Sequence, residues 1–230
     1  MLDFGFYNMD CMNGMKEYPD KYFDLAIVDP PYFSGPERRS FYGKRISSIG
    51  VKRSYNPSLV PWKVPDDSYF EELFRVSKNQ IIWGINYFNY PVGSGRIVWN
   101  KCNGANTFSD CEIAFCSMHN SVRLFSFLWN GMMQGKSIDE GWIQQGDKRK
   151  NEVRIHPTQK PVALYEYLLV KYARPGEIIL DTHVGSASSL IACHRTRHKY
   201  VGFEINTEYY DKAKERLDME MAQKTIFDFI

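Results

Sequence analysis

The sequence predicts an α/β fold in which a mostly parallel sheet carries helices on both faces. Three observations predict it. Five short apolar runs, each bounded by turn residues, read as buried strands. Amphipathic, helix-like segments lie between them. No apolar run approaches the ~20 residues that cross a bilayer, which leaves packing against one another as the way to bury those faces.

In chain order, Leu25-Ala26-Ile27-Val28 is the first of these strands. A helix follows from Asp66 to Ser77, opening on Asp-Asp-Ser and carrying Tyr69, Phe70, Leu73, Phe74 and Val76. Ile81-Ile82-Trp83 and Arg96-Ile97-Val98-Trp99 are the next strands. A helix over Val162 to Ala173 starts after Pro161 and stops before Pro175-Gly176. Strand Glu177 to Leu180, helix Ser186 to His194, strand Tyr200 to Phe203 and helix Thr207 to Met221 complete a single domain spanning 1–230. Two stretches fit the rhythm poorly, 33–65 and 100–155. They read as long loops or insertions, and loops of that length are usually functional. In an open α/β sheet, binding loops lie beyond the carboxyl ends of the strands.

Composition narrows the class. Of 230 residues, 43% are hydrophobic and 24% charged, ordinary for a soluble globular protein. The first residues lack a basic, signal-like segment, so a cytoplasmic location is expected. Cys11, Cys102, Cys111, Cys116 and Cys193 form no Cys-x-x-Cys pair. Free thiols in a reducing compartment are expected, with neither disulfides nor a metal site. Net charge is only +2, but it is unevenly placed. Arg38, Arg39, Lys44, Arg45, Lys52, Arg53 and Lys63 face Glu37 alone between Phe33 and Pro65, and Lys148, Arg149, Lys150 and Arg154 form a second cluster. Such grouping suits a phosphate-binding surface or a solvated loop. The glycines and serines of the first stretch predict that it is poorly ordered without a nucleic-acid partner.

Chemistry concentrates at two strand ends. The strand before Asp181 leads into Thr182-His183-Val184-Gly185-Ser186-Ala187-Ser188-Ser189, then a helix, then a strand ending in Glu204. Small residues let a ligand approach the backbone, the helix start offers free N–H groups, and a terminal carboxylate suits ribose hydroxyls. With Gly185 as its one glycine, the turn fits a nucleoside cofactor without phosphates better than a dinucleotide, and a plain crossover stays open. At the other end, Asp29-Pro30-Pro31-Tyr32-Phe33 follows Val28 directly. Two prolines fix the chain and remove two N–H donors. The acceptors and aromatic ring that remain suit a planar ligand bearing an amino group.

Asp29-Pro30-Pro31-Tyr32 resembles the catalytic motif of the N6-adenine and N4-cytosine DNA amino-methyltransferases. His156-Pro157-Thr158-Gln159-Lys160-Pro161 resembles the segment that precedes their cofactor motif, Asp181 to Ser189 their cofactor turn, and Val201-Gly202-Phe203-Glu204 their ribose-binding strand. Asn8-Met9-Asp10-Cys11 is similar to their Gly-Asp-Cys segment, and the strands around Trp83 and Trp99 to their core strands. The resemblance covers nearly the whole chain, in the permuted, β-type motif order. One departure is Ala187, where the family usually has a second glycine.

The resemblance implies a Rossmann-like S-adenosylmethionine-dependent methyltransferase fold and site-specific methylation of double-stranded DNA, as in restriction–modification systems. It implies catalysis by Asp29, Pro30, Pro31 and Tyr32 on N6 of a flipped adenine. It implies S-adenosylmethionine binding by Asp10, Cys11, Asp29, Thr158, Lys160, Asp181, His183, Gly185, Ser186, Ser188 and Glu204, with Lys160 pairing the cofactor's carboxylate. Arg38, Arg39, Lys44, Arg45, Lys52 and Arg53 would contact DNA. No membrane and no metal is expected, and a homodimer is left open. N4-cytosine methylation is the near alternative, but its usual motif carries serine where Asp29 stands. RNA guanine or protein glutamine methylation, whose motif begins with asparagine, and a catalytically idle DNA-binding subunit are the more distant ones.

Overall fold

The computed structural model describes residues 1–32, 43–46, 52–55, 63–104, 109–130 and 133–223. Its centre is an eight-stranded sheet. Five strands run parallel: β1 (Gly5–Asn8), β12 (Lys199–Glu204), β11 (Ile178–Asp181), β2 (Phe23–Val28) and β5 (Ser77–Trp83), in that spatial order. The sheet continues through β7 (Cys111–Cys116), antiparallel to both neighbours, then β6 (Arg96–Asn100) and β8 (Val122–Ser126).

The alternation of side chains along β2 shows why helices must cover both faces. Leu25 and Ile27 point into one core, with α3 (Val162–Tyr172), α4 (Ser188–Arg195) and α5 (Thr207–Ala222). Ala26 and Val28 point into the other, with α1 (Cys11–Met15) and α2 (Asp67–Val76). A strand apolar on both sides is stable only when both are covered. Gly202 on β12 leaves room for the turn and helix that follow β11: a Cβ there would meet Val184 Cγ2 at 2.7 Å and Leu190 of α4 at 3.0 Å. No helix among the described residues is long and apolar enough to cross a membrane.

The stretch read as a long loop from 100 to 155 is corrected in part. It supplies β7 and β8 to the main sheet, and a small hairpin of β9 (Trp129–Asn130) and β10 (Met133–Gln134). Glu112 interrupts the apolar run of β7, and β8 is an edge strand with Val122 and Leu124 exposed, so neither shows the continuous apolar signature of a central strand. The sequence pattern likewise does not reveal α1 and β1, which are only five and four residues long. Within 33–65, β3 (Gly43–Ile46) pairs antiparallel with β4 (Lys52–Tyr55), setting Arg45 across from Arg53 and Lys44 across from Ser54. Arg38, Arg39 and the expected disorder of this stretch lie outside the described residues.

Candidate active site

The five parallel strands end along one edge, where the ends of β1, β2, β11 and β12 gather a cavity of about 290 Å³. Every cofactor or catalytic residue expected from the sequence lines it, with one exception, Asp181. The clustering follows from topology. Asp10 comes two residues after β1, Asp29 one after β2, and Glu204 ends β12.

At one end of the cavity, Glu204 organises the turn after β11. Its Oε2 accepts the Gly185 N–H at 2.9 Å, and its Oε1 accepts the Asn206 N–H at 2.8 Å. A carboxylate can accept about four hydrogen bonds, so capacity remains here for a ligand hydroxyl. Burial pushes this carboxyl up, and the backbone N–H groups oppose the shift. Asp181 has a different place from the one expected. It is 2% exposed, accepts the His183 N–H at 2.9 Å and takes the Ser189 hydroxyl. Its carboxyl ties the turn to α4 from inside and is pushed up to about 7 by burial. Ala187 adopts φ +62°, the left-handed conformation that the family's glycine would take without a Cβ penalty. Arg216 of α5 braces the same turn, donating to the Ser186 carbonyl at 2.7 Å and to Ser188 Oγ at 3.0 Å, and pairs with Glu152 at 2.9 Å.

Two histidines line the cavity as neutral groups. Burial lowers His183 to about 4 and His156 to about 3. His183 Nδ1 shares a 2.9 Å hydrogen bond with Thr182 Oγ1, which in turn meets the Tyr69 hydroxyl at 2.6 Å. Asp10 Oδ1 caps α1 by accepting the Met12 and Asn13 N–H groups at 2.8 and 3.3 Å. Burial raises the neighbouring Cys11 thiol to about 12, so it stays protonated.

At the other end stand Asp29 and Tyr32. Asp29 Oδ2 takes a short hydrogen bond from Lys160, while Oδ1 is buried with no hydrogen-bond partner among the described residues. Burial pushes this carboxyl up, and the Lys160 ammonium pulls it back. Lys160, expected to pair a cofactor carboxylate, lines the cavity with its ammonium on Asp29 and Glu112. Lys160 is 4% exposed, and its ammonium is committed to Asp29 and to Glu112 at 3.0 Å, as a buried cation requires. The Tyr32 ring packs on Gly84, which has φ +69° and would place a Cβ 2.4 Å from it. The same ring stacks on Tyr87, centroids 4.5 Å apart.

Sequence reasoning misses Glu112, Tyr69 and Tyr87. Glu112 sits in a strand that reads as loop, and Tyr69 looks like one more apolar position of a helix. Lys44, Arg45, Lys52 and Arg53 lie on β3 and β4, and Arg38 and Arg39 outside the described residues. The five cysteines are free thiols. Among the described residues no three His, Cys, Asp or Glu side chains gather as a metal site would need.

Comparison with known proteins agrees with this geometry. Residues 128–215 match the family model described as DNA methylase, of the N6/N4 type. The chain is 26% identical to the type II methyltransferase M.HpaI of Haemophilus parainfluenzae, over 92% of this chain and 73% of that protein. It is 25% identical to M.HinfI of Haemophilus influenzae, over 90% of this chain and 66% of that protein. Among solved structures, M1.HpyAVI in complex with SAM matches with a TM-score of 0.54 at 20% identity, covering 92% of this chain and 98% of that one. The cytosine-N4-specific PvuII DNA methyltransferase matches with 0.55 at 10% identity, covering 94% and 90%. At these identities the structural likenesses speak for the fold alone, a Rossmann-like α/β sheet. The family model matches the stretch that carries the cofactor turn and its ribose-side strand, and with the two Haemophilus relatives it makes the chain similar to the DNA methylases of the N6 and N4 type.

Proposed function

We propose that this chain transfers a methyl group from S-adenosylmethionine to N6 of an adenine flipped out of double-stranded DNA. The observation that carries the reading is Asp29 Oδ1, a buried acceptor without a donor among the described residues, beside Tyr32 in the cavity that Glu204 and Gly185 also line. An unmet buried acceptor costs about 1–3 kcal/mol, which an amino group in the cavity would recover. The donor set fits the cofactor: Glu204 has lone pairs for ribose hydroxyls, and the Gly185–Ser188 turn presents small residues to the cavity. When bound, S-adenosylmethionine supplies a sulfonium methyl group.

Asp29 and the Pro30 carbonyl accept the two amine hydrogens and localise the nitrogen lone pair, while Tyr32 stacks on the base and offsets part of the cost of flipping. The Asp29 carboxylate would hold the amine N–H beside the nitrogen on which positive charge develops as it takes the methyl group, and would accept the proton that this nitrogen then releases. Arg38, Arg39, Lys44, Arg45, Lys52 and Arg53 are proposed as the phosphate contacts, on charge alone. Adenine is favoured over cytosine because aspartate, rather than serine, opens the motif.

Incubation with labelled cofactor and unmethylated DNA, followed by nucleoside analysis, tests the reading. Label in N6-methyladenine is expected and should vanish in Asp29→Ala. Label on cytosine N4 would replace the substrate, and no transfer from any nucleic acid would leave an idle subunit.

A further inference from the structure

Four charges lie in a row across the sheet beneath Asp29. Lys160 meets both Asp29 and Glu112, and Glu112 Oε1 meets Lys101 at 2.5 Å. Asp29 follows β2, Glu112 is on β7 and Lys101 follows β6, so the row crosses β5, where Lys160 Nζ lies 5.7 Å from the Trp83 ring centre. Lys101 lies 5.3 Å from that of Trp99. Carboxylate and ammonium alternate, and the row is neutral as a whole.

Stability does not account for such a row. Each ion costs several kcal/mol to bury, and apolar residues of similar volume usually pack as well. Its geometry has a direct consequence at one end. Lys160 holds a single oxygen of Asp29 and leaves the other without a partner among the described residues. The negative charge of Glu112, held on the same ammonium, offsets part of the potential that Lys160 sets up at Asp29. Lys101 in turn compensates Glu112, which Lys160 and Lys101 hold at about 2 against the effect of burial.

We infer that Glu112, backed by Lys101, is a positioning residue that divides Lys160 between two carboxylates and so keeps Asp29 a fixed, strong hydrogen-bond acceptor. The inference rests on the proposed amine-methylation reading for its use, but not for its physics. Without Glu112, Lys160 would turn wholly to Asp29 and weaken it as an acceptor. Without Lys160, Asp29 would face Glu112 unshielded. Tyr32, Tyr69, Tyr165 and Asp181 also stand within reach of Asp29's charge, and among the described residues Lys160 and Lys101 are the cations that act on it most strongly.

The test titrates Asp29 by carboxyl-carbon NMR in the full chain, assigned with Asp29→Asn, and needs no activity. Glu112→Gln is isosteric and should lower the Asp29 midpoint by about half a unit or more. Lys160→Met should raise it, and Lys101→Met, which strengthens the hold of Glu112 on Lys160, should raise it slightly. Opposite shifts from Glu112→Gln and Lys160→Met are the signature, since a merely structural role would change melting temperature and leave the midpoint in place. In single-turnover assays, Glu112→Gln should slow methyl transfer about tenfold or more with cofactor affinity within about twofold, the split expected of lost transition-state stabilisation. Unchanged Asp29 titration in a folded Glu112→Gln protein would overturn the inference. If the wild type methylates nothing, the proposed function fails, and the titration still decides the charge relay.

Discussion

The rings of Tyr32 and Tyr87 lie flat on one another, centroids 4.5 Å apart and planes 9° from parallel. Tyr87 is 59% exposed and stands just past β5, while Tyr32 follows the motif at the end of β2. A base that stacks on Tyr32 from this side must displace Tyr87 or slide between the two. We predict that Tyr32→Ala weakens binding of DNA with a flipped target by about 1–3 kcal/mol, while Tyr32→Phe retains most of it. Tyr87→Ala should favour the flipped state by about 0.5–1.5 kcal/mol, the worth of an aromatic pair. Fluorescence of 2-aminopurine at the target position reads both. A loss of flipping in Tyr87→Ala would instead make Tyr87 part of the platform.

Glu204→Ala should weaken S-adenosylmethionine binding by about 1.5–3 kcal/mol, the range for hydrogen bonds to a charged group. The motivation is the pair of backbone bonds that fix the carboxylate at the end of β12 with lone pairs to spare. DNA affinity measured without cofactor should not change. Calorimetry that finds wild-type cofactor affinity in a folded variant removes Glu204 from the ribose site.

Asp181 makes stability depend on pH. Burial raises its carboxyl from 3.8 to about 7 in the folded chain, so between these values the folded state holds more proton than the unfolded one. Its contribution is therefore fully present below the unfolded value and is lost as pH rises through about 7. Asp181→Asn keeps the shape and needs no proton, so its stability relative to wild type should increase from pH 4 to pH 8. The gain should be on the order of a few kcal/mol at most. Urea unfolding at the two pH values checks it, and parallel curves for the two proteins would falsify the assignment.

Arg216 holds the Ser186–Ser188 turn with one nitrogen and Glu152 with the other, and Glu152 also accepts the Val162 N–H that opens α3. Arg216→Ala leaves the half-buried Glu152 without its cation. It should cost about 1.5–3 kcal/mol of stability. Arg216→Lys should recover only part of this, since an ammonium cannot serve both sites as a planar fork does. A fall in cofactor affinity in Arg216→Lys under conditions where it stays folded would separate bracing of the turn from general stability. A melting temperature within a degree or two of wild type for Arg216→Ala would show that the clamp is dispensable.

The apolar runs at Leu25, Ile81, Ile97, Ile178 and Val201 are legible as sheet strands from the amino-acid sequence, because a strand buried on both faces must be continuously apolar, a local property. Asp29-Pro30-Pro31-Tyr32 and the Asp181–Glu204 segment are readable because proline and small residues past a strand end constrain the backbone whatever lies around them. Properties that depend on long-range neighbours need the fold. The sequence offers Lys160 to a cofactor carboxylate, but the fold buries it between Asp29, 131 residues away, and Glu112. It offers Asp181 to the cofactor, but the fold turns that carboxylate inward to Ser189. β7 and β8 are hidden because antiparallel and edge strands need neither a crossover helix nor two apolar faces. Local pattern determined which segments become strands and which motifs stand at their ends. Only tertiary packing decided where each charge finds its partner, because a buried ion binds the nearest opposite charge in space and sequence distance does not enter that choice.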